Sequence, residues 1–312
     1  MPVHSALWEG PDRMKRILKW IGIVLGGLVG LILVAAVTLY FIGTAKIDKT
    51  FEVQVAEVIV PTDQAAIERG EHFVQAIAFC QKCHTQNLGG EVADDDPLFG
   101  VYAPRNLTSG LGGVGDNFSD IDYVRAIRHG IGQDGKSLLF MPTEIYSKIS
   151  DADLGAIIAY LKSLPPVDNE LPDTSLGILA RILAGVDSSV LSANLIDHDA
   201  PRPAELVPGV TRDYGEYLAF SCSRCHGDNL AGGTVGGFEP DAPKVPNITP
   251  GGAPGNWTQA QFVSTLRGGV TPSGKVLDPE FMPWLYFTRM TDDELNAIWL
   301  YLESLPAREF EG

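Results

Sequence analysis

From Trp20 to Ile42 the chain runs 23 residues without a charge. At ~1.5 Å per residue, a helix of that length reaches ~35 Å, more than the ~30 Å of a bilayer core. Arg13, Lys15, Arg16 and Lys19 precede it; Lys46 and Lys49 follow, diluted by Asp48 and Glu52. The positive-inside rule predicts a cytoplasmic N-terminal segment at 1–19 and a transmembrane helix at 20–42. Everything after about residue 44 is then extracytoplasmic, beginning with a juxtamembrane segment at 43–61. A cleaved signal has a much shorter apolar core, ~7–15 residues, so the helix is expected to stay as an anchor. Gly22, Gly26 and Gly30 fall at four-residue spacing on one face. Small residues there let a second membrane helix pack closely, as in a membrane complex.

Past residue 61 the apolar spacing is helical. One helix is predicted from Asp63 to Phe79 and another from Asp151 to Leu164. Ser150 with Asp153, and Thr291 with Glu294, read as capping boxes. Leu154, Ile157, Ile158 and Leu161 then share a face, and Leu295, Ile298 and Leu302 repeat it. Only Glu52–Val60 alternates like a strand.

The pattern occurs twice. Arg69-Gly70-Glu71-His72-Phe73 precedes Cys80 as Tyr214-Gly215-Glu216-Tyr217-Leu218 precedes Cys222. Asn87-Leu88-Gly89-Gly90 returns as Asn229-Leu230-Ala231-Gly232, and Asn106-Leu107-Thr108 as Asn247-Ile248-Thr249. Met141-Pro142 matches Met282-Pro283. Tyr160-Leu161-Lys162-Ser163-Leu164-Pro165 matches Tyr301-Leu302-Glu303-Ser304-Leu305-Pro306. From the cysteines onward the offset stays between 139 and 142. A fixed period of this kind marks a duplicated domain, predicted at 62–166 and 209–312. The linker, 167–208, holds an apolar run from Leu176 to Val186 that is expected to form a short helix packed on a domain.

Composition narrows the functions open to such a chain. Its 312 residues hold 23 Lys+Arg and 39 Asp+Glu, a net charge of −16. The first 49 residues hold 6 cations and 3 anions, which leaves 17 − 36 = −19 for residues 50–312. Such acidity excludes nucleic acid as a partner. It suits docking to a redox protein with a basic patch.

All four cysteines lie in two motifs, Cys80-Gln81-Lys82-Cys83-His84 and Cys222-Ser223-Arg224-Cys225-His226. C-x-x-C-H marks covalent haem attachment: the cysteines form two thioethers and the histidine supplies an axial imidazole. A redox C-x-x-C would need a βαβ setting, which the pattern lacks. A structural zinc site would not call for two copies in equivalent repeats. Two covalently bound haem c groups are therefore expected. Met141 lies 57 residues after His84 and Met282 lies 56 after His226. Both precede proline, which fixes the local backbone. His129 and Met290 have no counterpart in the other repeat, so His84, Met141, His226 and Met282 are the expected iron ligands. His/Met ligation leaves no open position for peroxide or oxygen and raises the potential relative to two imidazoles.

Arg105, Asn106 and Asn247 are candidate contacts to haem propionates; Arg128 and Arg267 could serve propionates or surface acids. The aromatics of the two Met-Pro loops, Phe140, Tyr146, Phe281, Trp284, Tyr286 and Phe287, read as packing around haem. Gly110, Gly112 and Gly115 spell G-x-G-x-x-G, but no strand leads in and no helix begins there, so no dinucleotide site is expected.

On these motifs and the Tyr-Leu-Lys/Glu-Ser-Leu-Pro endings, residues 61–312 resemble the membrane-anchored, multi-haem class I cytochromes c of bacteria. The likeness is closest to the cytochrome subunits of periplasmic alcohol, aldehyde and gluconate dehydrogenases. Those usually carry three haem domains and often a C-terminal anchor; this chain has two motifs and an N-terminal apolar run. The resemblance implies an all-α fold: one N-terminal transmembrane helix, then two tandem domains, each wrapped round one covalent haem. It implies electron transfer without bond-making chemistry, in a respiratory, photosynthetic or dehydrogenase complex at the periplasmic face. A dihaem enzyme such as a peroxidase is the rival and would need one iron with a free sixth position.

Overall fold

The computed structural model describes residues 11–233 and 244–310. Residues 1–10 of the expected cytoplasmic segment, 234–243, and 311–312 at the end of the second repeat lie outside the described residues. Helix α1 (Pro11–Ile47) outruns the uncharged stretch at both ends. It is the one helix among the described residues long and apolar enough to cross a membrane. Its apolar side chains stand exposed from Met14 to Val34. Space is open around Gly22, Gly26 and Gly30, so none of the described residues packs on that face.

The Glu52–Val60 segment is extended, as its alternation implies, but it joins no sheet. Phe51 N–H donates to the Gly135 carbonyl at 2.8 Å. Beyond that point Val55, Val58 and Val60 pack on the helical core while Glu52, Gln54 and Glu57 face out. The alternation records a pleat lying on helices.

Helix α2 (Gln64–His72) is capped by Asp63, whose carboxylate accepts from Ala66 N–H. The expected helix to Phe79 changes winding here, passing into a π-helical turn at Phe73–Ile77. Helix α3 (Gln81–His84) follows. A hairpin the alternation pattern did not reveal pairs β1 (Asp94–Asp96) with β2 (Gly100–Tyr102), and β3 (Ser175–Leu176) from the linker adds to β2. Three-residue strands are too short to carry a period. Helices α4 (Asp120–His129), α5 (Thr143–Tyr146) and α6 (Asp151–Ser163) complete the first repeat.

In the linker, helix α7 (Ile178–Val186) forms where the apolar run lies. It packs along α1, and its first turn meets the β1–β2 turn of the first repeat, where Leu179 N–H donates to the Leu98 carbonyl at 2.9 Å. Gly43 meets the Arg181 carbonyl backbone to backbone, and Gly185 meets Leu39 in the same way. The second repeat then builds α8 (Arg212–Leu218), α9 (Phe220–His226), α10 (Gln259–Gly268), α11 (Trp284–Phe287) and α12 (Asp292–Ser304).

In each repeat the first helix crosses the last: α2 on α6, and α8 on α12. The crossing is backbone on backbone, because Gly70 sits on the Ala156 carbonyl and Gly215 on that of Ala297. The predicted faces are buried there: Leu154, Ile157, Ile158 and Leu161 in α6; Leu295, Ile298 and Leu302 in α12. One cluster of buried side chains spans both repeats, with Phe73 and Tyr217 meeting at 6.4 Å between ring centres.

A methyl group at Gly215 would collide with the Ala297 carbonyl. Overpacking of this kind costs about 1–3 kcal/mol, and each kcal/mol moves the midpoint by roughly 2–4 °C in a chain of this size. Gly215→Ala is expected to lower the thermal midpoint accordingly, and Gly268→Ala, where space is open, to leave it within error.

Candidate haem centres

The two C-x-x-C-H motifs fold alike. Each ends a short helix, α3 or α9, directly after the helix that carries the crossing glycine. His84 Nδ1 lies 2.8 Å from the Arg105 carbonyl, and His226 Nδ1 lies 2.8 Å from that of Pro246. A backbone carbonyl accepting from Nδ1–H fixes the tautomer and leaves the Nε2 lone pair for a metal. Burial pushes both imidazoles below their ordinary pKa, toward the neutral form that ligates. The loop after each histidine also recurs. Gly90 N–H donates to the His84 carbonyl and Gly232 N–H to that of His226, both at 3.0 Å. Leu88 and Leu230 both take left-handed backbone, φ 58° and 60°.

The four cysteines are unpaired. Burial pushes Cys80 up to about 12 and Cys222 up to about 11. A redox C-x-x-C needs a lowered, thiolate-forming cysteine, so these half-buried thiols with raised values fit the redox role poorly. Among the described residues no three His, Cys, Asp or Glu gather as a metal cluster. Each motif presents a histidine ring oriented by the backbone carbonyl of a later loop, next in sequence to two thiols. That donor set fits a covalently attached haem at each motif.

The Met-Pro loops are equally matched. Pro142 (φ −78°, ψ 58°) leads into α5, and Pro283 (φ −75°, ψ 51°) leads into α11. Met141 and Met282 are both half-buried against the core. Ser192, from the linker, donates to the Met141 carbonyl at 2.6 Å, and Trp284 N–H donates to that of Met282 at the same distance. Tyr146, buried in α5, donates to the Ala78 carbonyl at 2.9 Å, tying the Met loop to the approach to Cys80.

The propionate candidates do other work. Asn106 Nδ2 donates to the Val167 carbonyl at 2.7 Å while its Oδ1 accepts from Thr108. Asn247 repeats this with the Arg308 carbonyl and Thr249. Both amides therefore tie the loop to the chain end of the repeat. The Arg105 guanidinium binds Asp173, and its carbonyl is the one that orients His84. Arg128 pairs with Asp151 and Arg267 with Asp292, at the starts of α6 and α12.

The sequence did not reveal how the repeats meet. Position 72 of the first repeat corresponds to 217 of the second, and Asp153 corresponds to Glu294. His72 Nε2 binds the Glu294 carboxylate at 2.8 and 2.9 Å; Tyr217 donates to Asp153 at 2.6 Å. Each repeat thus reaches the acid that opens the other's last helix. Glu294 still completes its box with Thr291. Asp153 does not, because Arg69 and Tyr217 take its carboxylate, and Ser150 N–H donates to Tyr217 instead. The motifs obey the same exchange. Lys82, inside the first C-x-x-C-H, donates to the Glu280 carbonyl beside Met282 at 2.9 Å. Arg224, inside the second, pairs with Glu144 beside Met141. Phe79, next to Cys80, lies 6.0 Å from both Tyr286 and Phe287. The Met-loop aromatics expected to pack round haem therefore also build the contact between repeats.

Comparison with known proteins agrees with this geometry. Residues 65–161 match the family model described as cytochrome C oxidase, cbb3-type, subunit III. That stretch is a cytochrome c domain, a type that binds haem c covalently. The chain is 27% identical over 271 residues to the fructose dehydrogenase cytochrome subunit of Gluconobacter japonicus, covering 79% of this chain and 54% of that protein. It is 28% identical over 273 residues to the cytochrome c subunit of the quinone alcohol dehydrogenase of Gluconobacter oxydans, covering 78% and 56%. A diheme cytochrome c-type protein of Cereibacter sphaeroides is 26% identical over 274 residues, covering 77% and 86%. The chain thus spans about half the length of the dehydrogenase subunits it matches.

Burial opposes ionisation of Glu294, but the His72 hydrogen bond and the Thr291 cap outweigh it and hold the carboxyl below its ordinary value. A carboxyl whose folded value is depressed stabilises the fold above its unfolded pKa and loses that contribution as pH falls through the folded value. Between pH 7 and pH 3 the wild-type urea midpoint is expected to fall more than that of Glu294→Gln. Equal slopes would contradict this.

Proposed function

We propose that this chain is a membrane-anchored dihaem cytochrome c that passes electrons from an extracytoplasmic dehydrogenase to an acceptor. The two tandem domains are residues 62–166 and 209–312. Cys80, Cys83, His84 and Met141 hold one haem, and Cys222, Cys225, His226 and Met282 hold the other. α1 anchors the chain once in the membrane with its N-terminus in the cytoplasm. Haem c, when bound, supplies a one-electron iron couple.

The observation that carries this reading is the repeated histidine geometry, Nδ1 held by a carbonyl at 2.8 Å in both motifs. Contacts between the repeats support the two motifs lying side by side. Lys82 and Arg224 bind the neighbouring Met loop, so each attachment motif abuts the other site's distal loop. The names of the longer relatives supply the dehydrogenase as donor; the diheme relative matches in length. The open Gly22, Gly26 and Gly30 face suits a second membrane helix of that complex.

Pyridine haemochrome analysis is expected to give two haems per chain, falling to one when Cys222 and Cys225 are both replaced by alanine. Met141→His and Met282→His are each expected to lower the midpoint potential of one site, because thioether ligation raises it. One haem in the wild type, or no change of potential, would contradict the ligand assignment.

The partner is tested by extracting the native membrane in mild detergent, following covalent haem and identifying what co-purifies. A flavin, quinoprotein or molybdenum subunit is expected. Co-purification with quinol-oxidising or oxidase subunits would replace the dehydrogenase with a respiratory relay. Electron-transfer rates to the purified partner are expected to change with ionic strength, since the soluble part carries −19.

A further inference from the structure

The linker helix has a surface that neither repeat covers. α7 is a nine-residue helix, ~13 Å long, apolar except for Arg181. One side lies on the last turns of α1. The contact is close because Gly43 and Gly185 let the backbones touch, and Ala184 is buried against it. Arg181 is drawn back into this contact: Nε donates to the Leu176 carbonyl at 2.8 Å, and Nη1 reaches Thr44 Oγ1 at 3.5 Å. Lys46 donates to the Ala184 and Gly185 carbonyls at 3.1 and 2.9 Å, closing the C-terminal end of α7. The outer side keeps Ile178 62% and Val186 72% exposed. The hairpin turn adds to it: Leu98 and Phe99 accept from Leu179 and Gly177 N–H through their carbonyls while their side chains stay exposed.

The level of this patch is set by α1. Gly185 faces Leu39 and Gly43, while Arg181 faces Gly43 and Thr44, so the two helices run in opposite directions. Val186 therefore stands level with Leu39 and Tyr40, at the end of the uncharged stretch. Trp20 marks the far end of that stretch, and Tyr40 and Phe41 the near end; 20 residues separate Trp20 from Tyr40, ~30 Å of helix. Aromatic residues at that spacing are where the two membrane interfaces fall.

We infer that α7 and the Leu98–Phe99 turn form a lipid-binding collar, lying in the interfacial layer of the outer leaflet beside α1. The occupant is the bilayer itself, because the exposed patch starts with Val186 at the aromatic belt of the membrane helix and runs outward along it, about 13 Å, to Ile178 and the Leu98–Phe99 turn. An apolar surface spanning the interfacial layer in this way binds lipid through the apolar area it buries. Asp187, just past the helix, then stands among the headgroups. The collar fixes the height and tilt of the first repeat: its β3–β2 pairing and the Ser192 bond to the Met141 carbonyl come from the chain on either side of α7.

The inference rests on reading α1 as a membrane span, and the test separates the two. The full chain is reconstituted alone in phosphatidylcholine vesicles carrying a lipid with a photoactivatable diazirine near its headgroup. Labelled peptides are then mapped by mass spectrometry. Label is expected on α1, on α7 and on the Leu98–Phe99 turn, several-fold above the level on α10 of the second repeat. Ile178→Glu with Val186→Glu, both at exposed positions, is expected to cut the α7 label several-fold while leaving α1 labelled. Label on α1 with α7 at the α10 level overturns the collar and leaves the membrane span intact. An unlabelled α1 overturns both.

Discussion

Each half of this molecule depends on one backbone contact, the crossing of its first helix over its last. The glycine in each crossing removes the only atoms that would hold the helices apart. Everything chemical hangs from that point. The C-x-x-C-H motif follows the helix that carries the glycine, and the Met-Pro loop leads through a short helix, α5 or α11, to the helix that is crossed. A change in the crossing would therefore move histidine and methionine relative to each other. Packing on this contact is dense, so the C-x-x-C-H and Met-Pro loops are held by this frame as well as by their hydrogen bonds.

The contact between repeats follows from the same crossings. The acids that cap the starts of α6 and α12 lie beside the partner repeat's first helix, and His72 and Tyr217 use them. The two exchanges are related but chemically unequal. Tyr217 and Arg69 draw Asp153 out of its capping box, whereas Glu294 serves its cap and His72 together. One side is a neutral donor on a carboxylate backed by arginine, and the other pairs a carboxylate with an imidazole. The two exchanges share a geometry and differ in chemistry at matching positions.

Much of this was legible in the sequence wherever the signal was local. The faces of α6 and α12 were read correctly because spacing along one element defines them, and the two C-x-x-C-H motifs and the two Met-Pro pairs fold into matching backbone, as their repeated spacing implies. The destination of α7 was not legible: a nine-residue helix that is apolar except for Arg181 announces a surface to be covered without saying by what. The role of Asn106 and Asn247 was also hidden, since an Asn-x-Thr turn that closes on a distant carbonyl looks the same in sequence as an amide free to bind a ligand. The hairpin escaped because three-residue strands carry no alternation. The Glu52–Val60 alternation was real, yet it reflected helices beneath the strand instead of a neighbouring strand.

The reciprocal contacts at His72, Tyr217, Lys82 and Arg224 have the form of an isologous dimer interface, in which each partner offers the same patch to the other. Here both partners sit on one chain, joined by a linker that is itself packed along α1. A pair of separate subunits would come apart on dilution, as any association does by mass action. Fusion makes the encounter intramolecular, so the two halves stay face to face at any copy number. Scarcity of the protein then has no bearing on whether the second motif stands beside the first.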